Sequence, residues 1–277
     1  MSSRGISWTS TPGRDFNPRS GAVSMSESLK ERRPSALIIG ASAGIGRALA
    51  GELAAVGFDL FLVARDALDL EAVAGDCRIR HNIRVETFSY DLGASESAAA
   101  VGTWLSQLGA RPERVFLVAG ASLNADSGIP TEAMLERMLK VNFTGVAQIG
   151  ILAANEAANW SLRLIAVCST IAVPVPRGRN LAYATAKAAL ETLVQGLRHI
   201  LASQDVIVQI YRLGYIDTSL TFGQKLLFRR ASPEVVARRM VRWLDCNFGM
   251  RYFPRYWFWI VTVLRLLPWM LYKRLSF

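Results

Sequence analysis

The stretch that most narrows the possible folds is Leu37-Ile-Ile-Gly40-Ala-Ser-Ala-Gly44-Ile-Gly46-Arg-Ala-Leu-Ala50. An unbroken apolar run ends at a glycine turn and resumes at once with helical spacing. A strand that is apolar throughout meets water on neither face, which is the habit of a parallel sheet covered by helices on both sides. The alternation then repeats along the chain. It predicts strands at Ala36–Ile39, Asp59–Ala64, Arg84–Phe88, Arg114–Val118, Leu162–Cys168 and Val206–Tyr211. Helices are expected near 45–56, 67–80, 95–108, 131–157 and 181–202, and Ser232-Pro233-Glu234 reads as the capped start of another. With 277 residues, 51% of them apolar, the chain can bury one substantial core. The expected class is α/β, a single doubly wound parallel sheet over residues 35–250.

Two segments flank that domain. Residues 1–34 are rich in Ser, Gly, Pro and Arg and are expected to be disordered, with Met25 a candidate alternative start. They contain no apolar core of a secretory signal, so a cytoplasmic, reducing setting is expected. Residues 251–277 form a basic, aromatic tail. Its longest uncharged run, Tyr256 to Leu264, is nine residues, and Arg265 and Pro268 follow. A spanning helix needs about 20. Three of the seven Trp lie here among Arg and Lys, a mixture suited to the headgroup boundary of an anionic membrane. The tail is thus expected either on the inner membrane surface, peripherally, or packed on the domain or on a second subunit.

The net charge of +10 belongs mainly to the ends. Residues 35–221 hold fifteen Lys/Arg against seventeen acids, whereas 222–277 hold eleven against two. A body so nearly neutral argues against nucleic acid as a partner. Cys77, Cys168 and Cys246, like His81 and His199, show no metal-ligand or disulfide spacing, so no metal is expected.

The glycines of the first turn let the backbone approach a pyrophosphate, and the helix that follows offers N–H donors and a favourable dipole. Placed between strand and helix, the turn points to a dinucleotide. Val63-Ala64-Arg65 ends the second strand without the acid that would hold a ribose 2′-hydroxyl, and Arg65 can pair with a 2′-phosphate. NADP is therefore expected, with NAD possible. Farther on, Tyr183-Ala-Thr-Ala-Lys187 opens a helix, and the i, i+4 spacing puts both side chains on one face. An ammonium beside a phenol lowers the phenol pKa toward the working range of an acid–base catalyst.

Taken together, these motifs resemble the short-chain dehydrogenase/reductase family, on its Rossmann-type fold. The resemblance runs from about Ala36 to Thr218. It rests on the glycine turn 40–46, Asp91-Leu92, Val141-Asn142, the strand end 168–170, the Tyr183/Lys187 pair and Leu213-Gly214-Tyr-Ile-Asp-Thr218. It implies reduction of a carbonyl to an alcohol by NAD(P)H and assembly as a homo-oligomer. Tyr183 would be the proton donor and Lys187 would hold the nicotinamide ribose. Asn142 would hold a water that relays protons from Lys187. Gly40, Ser42, Ala43, Gly44, Ile45, Gly46, Asp91, Leu92, Ala119, Gly120, Gly214, Ile216 and Thr218 would line the cofactor. Ile39 replaces the family's usual Thr, Leu117-Val-Ala-Gly120 its Asn-Asn-Ala-Gly, and Leu213 its Pro. Its catalytic Ser position, thirteen before Tyr, aligns with Thr170, with Ser169 one residue earlier. Either hydroxyl could polarise a carbonyl, although side chains alternate along a strand.

More narrowly, the loop holding Arg177, Arg179 and Asn180, with the Arg-aromatic tail, is similar to the reductases of decaprenylphosphoryl 2-keto-pentoses. That similarity implies a keto sugar carried on a polyprenyl phosphate. An acyl or sterol-like ketone is the alternative substrate, and a non-catalytic NADP-binding scaffold the alternative of another class.

Overall fold

The computed structural model describes residues 33–121, 128–178, 180–218 and 230–275. The expectations for residues 1–32 and for Arg179 lie outside the described residues. From Pro34 onward the chain forms one compact unit.

The elements run β1 (Ser35–Ile39), α1 (Gly44–Ala55), β2 (Asp59–Ala64), α2 (Ala67–His81), β3 (Val85–Ser89), α3 (Ser97–Gln107) and β4 (Arg114–Leu117). They continue with α4 (Glu132–Leu139), α5 (Gly145–Asn155), α6 (Ala157–Trp160), β5 (Leu164–Thr170), α7 (Leu181–Ile200) and β6 (Ile207–Leu213). The last are α8 (Pro233–Arg242), β7 (Met250–Phe253), α9 (Tyr256–Leu266) and α10 (Trp269–Tyr272). All seven strands are parallel, in the order β3-β2-β1-β4-β5-β6-β7.

Period-2 alternation divides the core between the two faces. Ala36, Ile38, Leu60, Leu62 and Phe116 pack with Leu49 and Leu53 of α1, Leu70 of α2 and Met240 of α8. Leu37, Ile39, Phe61, Val63 and Leu117 pack with Val101 of α3, Val146 of α5 and Leu190 of α7. Local signals set the helix ends as the sequence implies. Asp66 caps α2 by accepting from the Asp69 N–H at 3.0 Å, and Ser232 caps α8 by accepting from Val235.

The structure corrects the sequence reading in two places. The single helix expected over 131–157 is interrupted, because Lys140–Thr144 forms a π-helical turn between α4 and α5. Such a turn holds one extra residue and is common where a side chain must be re-aimed. The tail expected from residue 251 begins inside the sheet, since β7 pairs along β6 from Ile210 to Leu213. Edge strands of four residues are short enough to lack a clear apolar signature of their own.

The tail then turns back over the domain. Trp257 and Val261 of α9 are buried against Ile171 and Val175, with Tyr215, Tyr252 and Tyr272 packed around them. Trp257 also meets Tyr215 edge to face at 5.4 Å and lies against Gly214, where any added Cβ would collide with the indole. Removing a buried aromatic costs about 3–5 kcal/mol. Trp257→Ala should therefore lower the melting temperature by roughly 10 °C, taking about 2–4 °C per kcal/mol for a domain of this size. A shift under about 2 °C by calorimetry would show that α9 is not docked.

Candidate active site

The crossovers from β1 and from β4 lie on opposite faces of the sheet, and a crevice opens at the carboxyl ends of these neighbouring strands. A cavity of about 350 Å³ occupies it. At one end lies the glycine turn. Gly40 adopts φ +94°, and a Cβ there would come 2.6 Å from the Ala119 Cα at the end of β4. Only glycine permits that approach. No side chain caps α1, and no acid lies in its first turn. Its N-cap Ala43 and its first residues Gly44, Ile45 and Gly46 line the cavity, where the first N–H groups of a helix have no intrahelical partner. A pyrophosphate fits this cradle. Arg65 and Asp91 sit at the rim, with the Asp91 carboxylate accepting from the Gly93 N–H at 2.8 Å. Ser42, Leu92, Ala119, Gly120, Gly214, Ile216 and Thr218 complete the same wall, so the cavity gathers every residue expected of a dinucleotide site.

At the other end, Tyr183 and Lys187 enter from α7 and Thr170 from the tip of β5. Lys187 is buried, and its Nζ donates to the Ala119 carbonyl at 2.9 Å and the Cys168 carbonyl at 3.2 Å. The ammonium lies 6.0 Å from the centre of the Tyr183 ring. Burial pulls the Lys187 pKa down to about 8. Burial also raises the pKa of the Tyr183 hydroxyl, opposite to the direction expected of a phenol beside an ammonium. The physical reason is that desolvation dominates while Lys187 is turned onto two carbonyls. The phenol therefore holds its proton, the state required of a donor. The Cys168 thiol beneath them is pushed up to about 12 by burial and is inert.

Asn142 stands behind this wall, fully buried in the π-helical turn. Its Oδ1 accepts from the Ala121 N–H at 2.8 Å, and its Nδ2 donates to the carbonyls of Ala121 (2.9 Å) and Met138 (3.2 Å). It clamps the chain leaving β4, whose Gly120 lies between Asn142 and Lys187.

The two candidate hydroxyls differ in what their protons do. The Ser169 hydroxyl donates to Glu191 Oε1 at 2.6 Å. Glu191 also takes a two-pronged contact from Arg212, Nε to Oε1 at 2.9 Å and Nη2 to Oε2 at 2.6 Å. Arg212 in turn donates to the Tyr252 hydroxyl of β7 at 2.8 Å. Thr170 instead accepts from the Ala172 N–H at 3.2 Å, which leaves its own O–H able to donate into the cavity. Sequence reasoning missed Glu191 and Arg212. A signal was present, because Glu191 lies one turn beyond Lys187 on the buried face of α7, where an unpaired carboxylate could not remain.

Two outcomes follow from these contacts. Thr170→Val should lower kcat for carbonyl reduction by about 10²–10³, as loss of an oxyanion-type donor does. Ser169→Ala should cost far less, and the reverse ranking would exchange their roles. The second concerns pH. With its folded pKa near 8 against an ordinary 10.5, Lys187 is charged below pH 8 and neutral above. The kcat/KM for the reduced cofactor, which reports the free enzyme, should fall as pH rises through about 8. Over the same interval, up to about pH 10.5, the unfolded chain binds the extra proton, so the Lys187 contribution to stability rises with pH. A cofactor kcat/KM flat to pH 10 would contradict the assignment.

Comparison with known proteins places the chain. The short chain dehydrogenase family model matches residues 34–225. The uncharacterized oxidoreductase Rv0945 of Mycobacterium tuberculosis is 27% identical, over 88% of this chain and 96% of its own length. A hydroxysteroid 11-beta-dehydrogenase 1-like protein of Macaca fascicularis is 31% identical, over 63% of this chain and 60% of its own length. Among solved structures, a short-chain dehydrogenase from Sphingobium yanoikuyae in complex with NADPH has the same fold. Its TM-score is 0.71 at 23% identity, covering 88% of this chain and 96% of that one. The chain belongs to the short-chain dehydrogenase family and is an NAD(P)-dependent oxidoreductase.

Proposed function

We propose that the protein is an NADP-dependent reductase of a ketone carried on a lipid, working peripherally at the anionic inner face of a membrane. The observation that carries this reading is the outer side of the tail. While Trp257 and Val261 face the cavity loop, Trp259, Leu266 and Trp269 are 69%, 78% and 71% exposed. Arg255, Arg265, Lys273 and Arg274 are interspersed with them along the chain and exposed, and residues 251–275 contain no acid. Aromatic and aliphatic groups mixed with cations suit a headgroup boundary. No helix among the described residues is long and apolar enough to cross a membrane.

In this reading Thr170 donates a hydrogen bond to the substrate carbonyl and Tyr183 delivers its phenolic proton to the same oxygen. A nicotinamide, when bound, supplies the hydride to the carbonyl carbon. Lys187 holds the ribose, Asn142 keeps the water through which Lys187 exchanges protons, Asp91 meets the adenine, and Gly214, Ile216 and Thr218 border the nicotinamide. Support for NADP over NAD comes from exposed Arg65 at the rim, since the acid beside it, Asp66, is occupied in capping α2. A keto-pentose on a polyprenyl phosphate combines lipid, sugar ketone and anion in one substrate. The alternative of a sterol-like ketone is supported by the likeness to the macaque hydroxysteroid 11-beta-dehydrogenase 1-like protein, and that of an acyl ketone by likeness to a very-long-chain 3-oxoacyl-CoA reductase of Anas platyrhynchos.

The deciding experiment is cofactor oxidation by purified protein on anionic vesicles. A polyprenyl-phosphate keto sugar, a ketosteroid and a long 3-oxoacyl substrate are compared, each with NADPH and with NADH. Turnover of the keto sugar with NADPH, abolished in Tyr183→Phe, is expected. Turnover of the steroid alone transfers the proposal to the second reading. Indifference to vesicles, together with a dimer that tail changes dissociate, would make α9 and α10 a subunit interface.

A further inference from the structure

The cavity is not electrically uniform. Its acids, Asp66 and Asp91, follow β2 and β3 at the adenosine end. The lining contributed by the loop between β5 and α7 holds half-buried Arg177 and, among the described residues, no acid. That loop is held from several sides. The Ile171 N–H donates to the Leu213 carbonyl at 3.0 Å. Ile171 and Val175 are buried under Trp257 and Val261. The Tyr272 hydroxyl of α10 donates to the Pro176 carbonyl at 2.5 Å, immediately before Arg177. Burial raises the Tyr272 pKa, and the charge of Arg177 opposes that rise. The residues after Tyr272, Lys273 and Arg274, are exposed cations. The end of the tail thus meets the cavity loop at Pro176, the residue before Arg177, and continues into two exposed cations.

We propose that Arg177 is the centre of an anion subsite at the substrate mouth, taking a phosphate-type oxyanion joined to the ketone. A guanidinium offers a planar pair of donors to such a group, and the loop contacts fix the backbone from which it reaches. The subsite selects phosphorylated or phosphonylated ketones over neutral ones of equal length. This inference rests on the reductase reading of the cavity. The same oxyanion could instead come from a phospholipid headgroup beside the tail.

The test uses the full chain saturated with NADPH and two water-soluble methyl ketones of equal length, one ending in a phosphonate and one in a primary amide. Wild type should favour the phosphonate in kcat/KM by about tenfold or more, the worth of one charge-assisted contact. Arg177→Ala should bring the two to within about twofold, and Arg177→Lys should retain part of the preference. A turnover-free measurement separates this inference from the reductase reading. Calorimetric binding of butylphosphonate to the NADP⁺-loaded protein should weaken about tenfold in Arg177→Ala even if no ketone is reduced. Phosphatidylglycerol vesicles distinguish the source. If Arg177→Ala loses vesicle affinity but keeps the phosphonate preference, the anion is a lipid headgroup. Unchanged phosphonate preference, butylphosphonate affinity and vesicle binding would together overturn the subsite.

Discussion

The reversal of strand order beside β1 is the constraint on which the site depends. Strands β2 and β3 extend the sheet to one side of β1, and β4 to β7 extend it to the other. Their crossovers must leave on opposite faces, so the carboxyl ends of β1 and β4 part and leave room that no side chain fills. Within that room the chain comes as close to itself as it can. Gly40 faces the Ala119 backbone with no Cβ between them. The narrow floor brings the glycine turn and the Tyr183/Lys187 pair into one cavity although they lie some 140 residues apart in sequence.

Most of this frame was legible because it follows from periodicity. Asp59–Ala64 is a strand over its expected bounds, and the other predicted strands shift by two residues or fewer at either end. The central strands β1, β2 and β5 are nearly apolar throughout, as buried parallel strands are. The glycine turn and the Tyr183/Lys187 spacing were equally readable, because each encodes a local geometry. What was not readable depends on contacts remote in sequence. The π-helical turn at Lys140–Thr144 differs from an α-helix by one hydrogen-bond step, which composition does not express. β7 is defined by its partner β6 rather than by its own residues. The different uses of the Ser169 and Thr170 protons required knowing that Glu191 and Arg212 meet behind the strand.

That buried ion pair also ties three parts of the molecule together. Glu191 belongs to the helix of Tyr183 and Lys187, Ser169 to the strand that ends in Thr170, and Arg212 to the strand against which the tail begins. Removing one partner of such a pair costs about 3–5 kcal/mol, because the other is left charged in a dry place. Through the Tyr252 hydroxyl, and through Trp257 on Gly214, the tail is continuous with the cavity wall. α9 thus has a structural inner face, with Trp257 and Val261 buried, and an exposed outer face that carries Trp259 and Leu266.

The burial of Cys168 has a practical side. The chain holds three thiols, and two of them, Cys77 and Cys168, are withdrawn from solvent, their pKa values pushed to about 11 and about 12. Cys246 alone is exposed. The native protein therefore presents a single alkylatable sulfur to a maleimide, and the labelling stoichiometry becomes a gauge of the native state. One label per chain reports an intact sheet, while a second or third reports opening of the helix α2 layer or of the floor under Lys187. Loss of activity on thiol modification would accordingly signal unfolding rather than chemistry at the reacting centre.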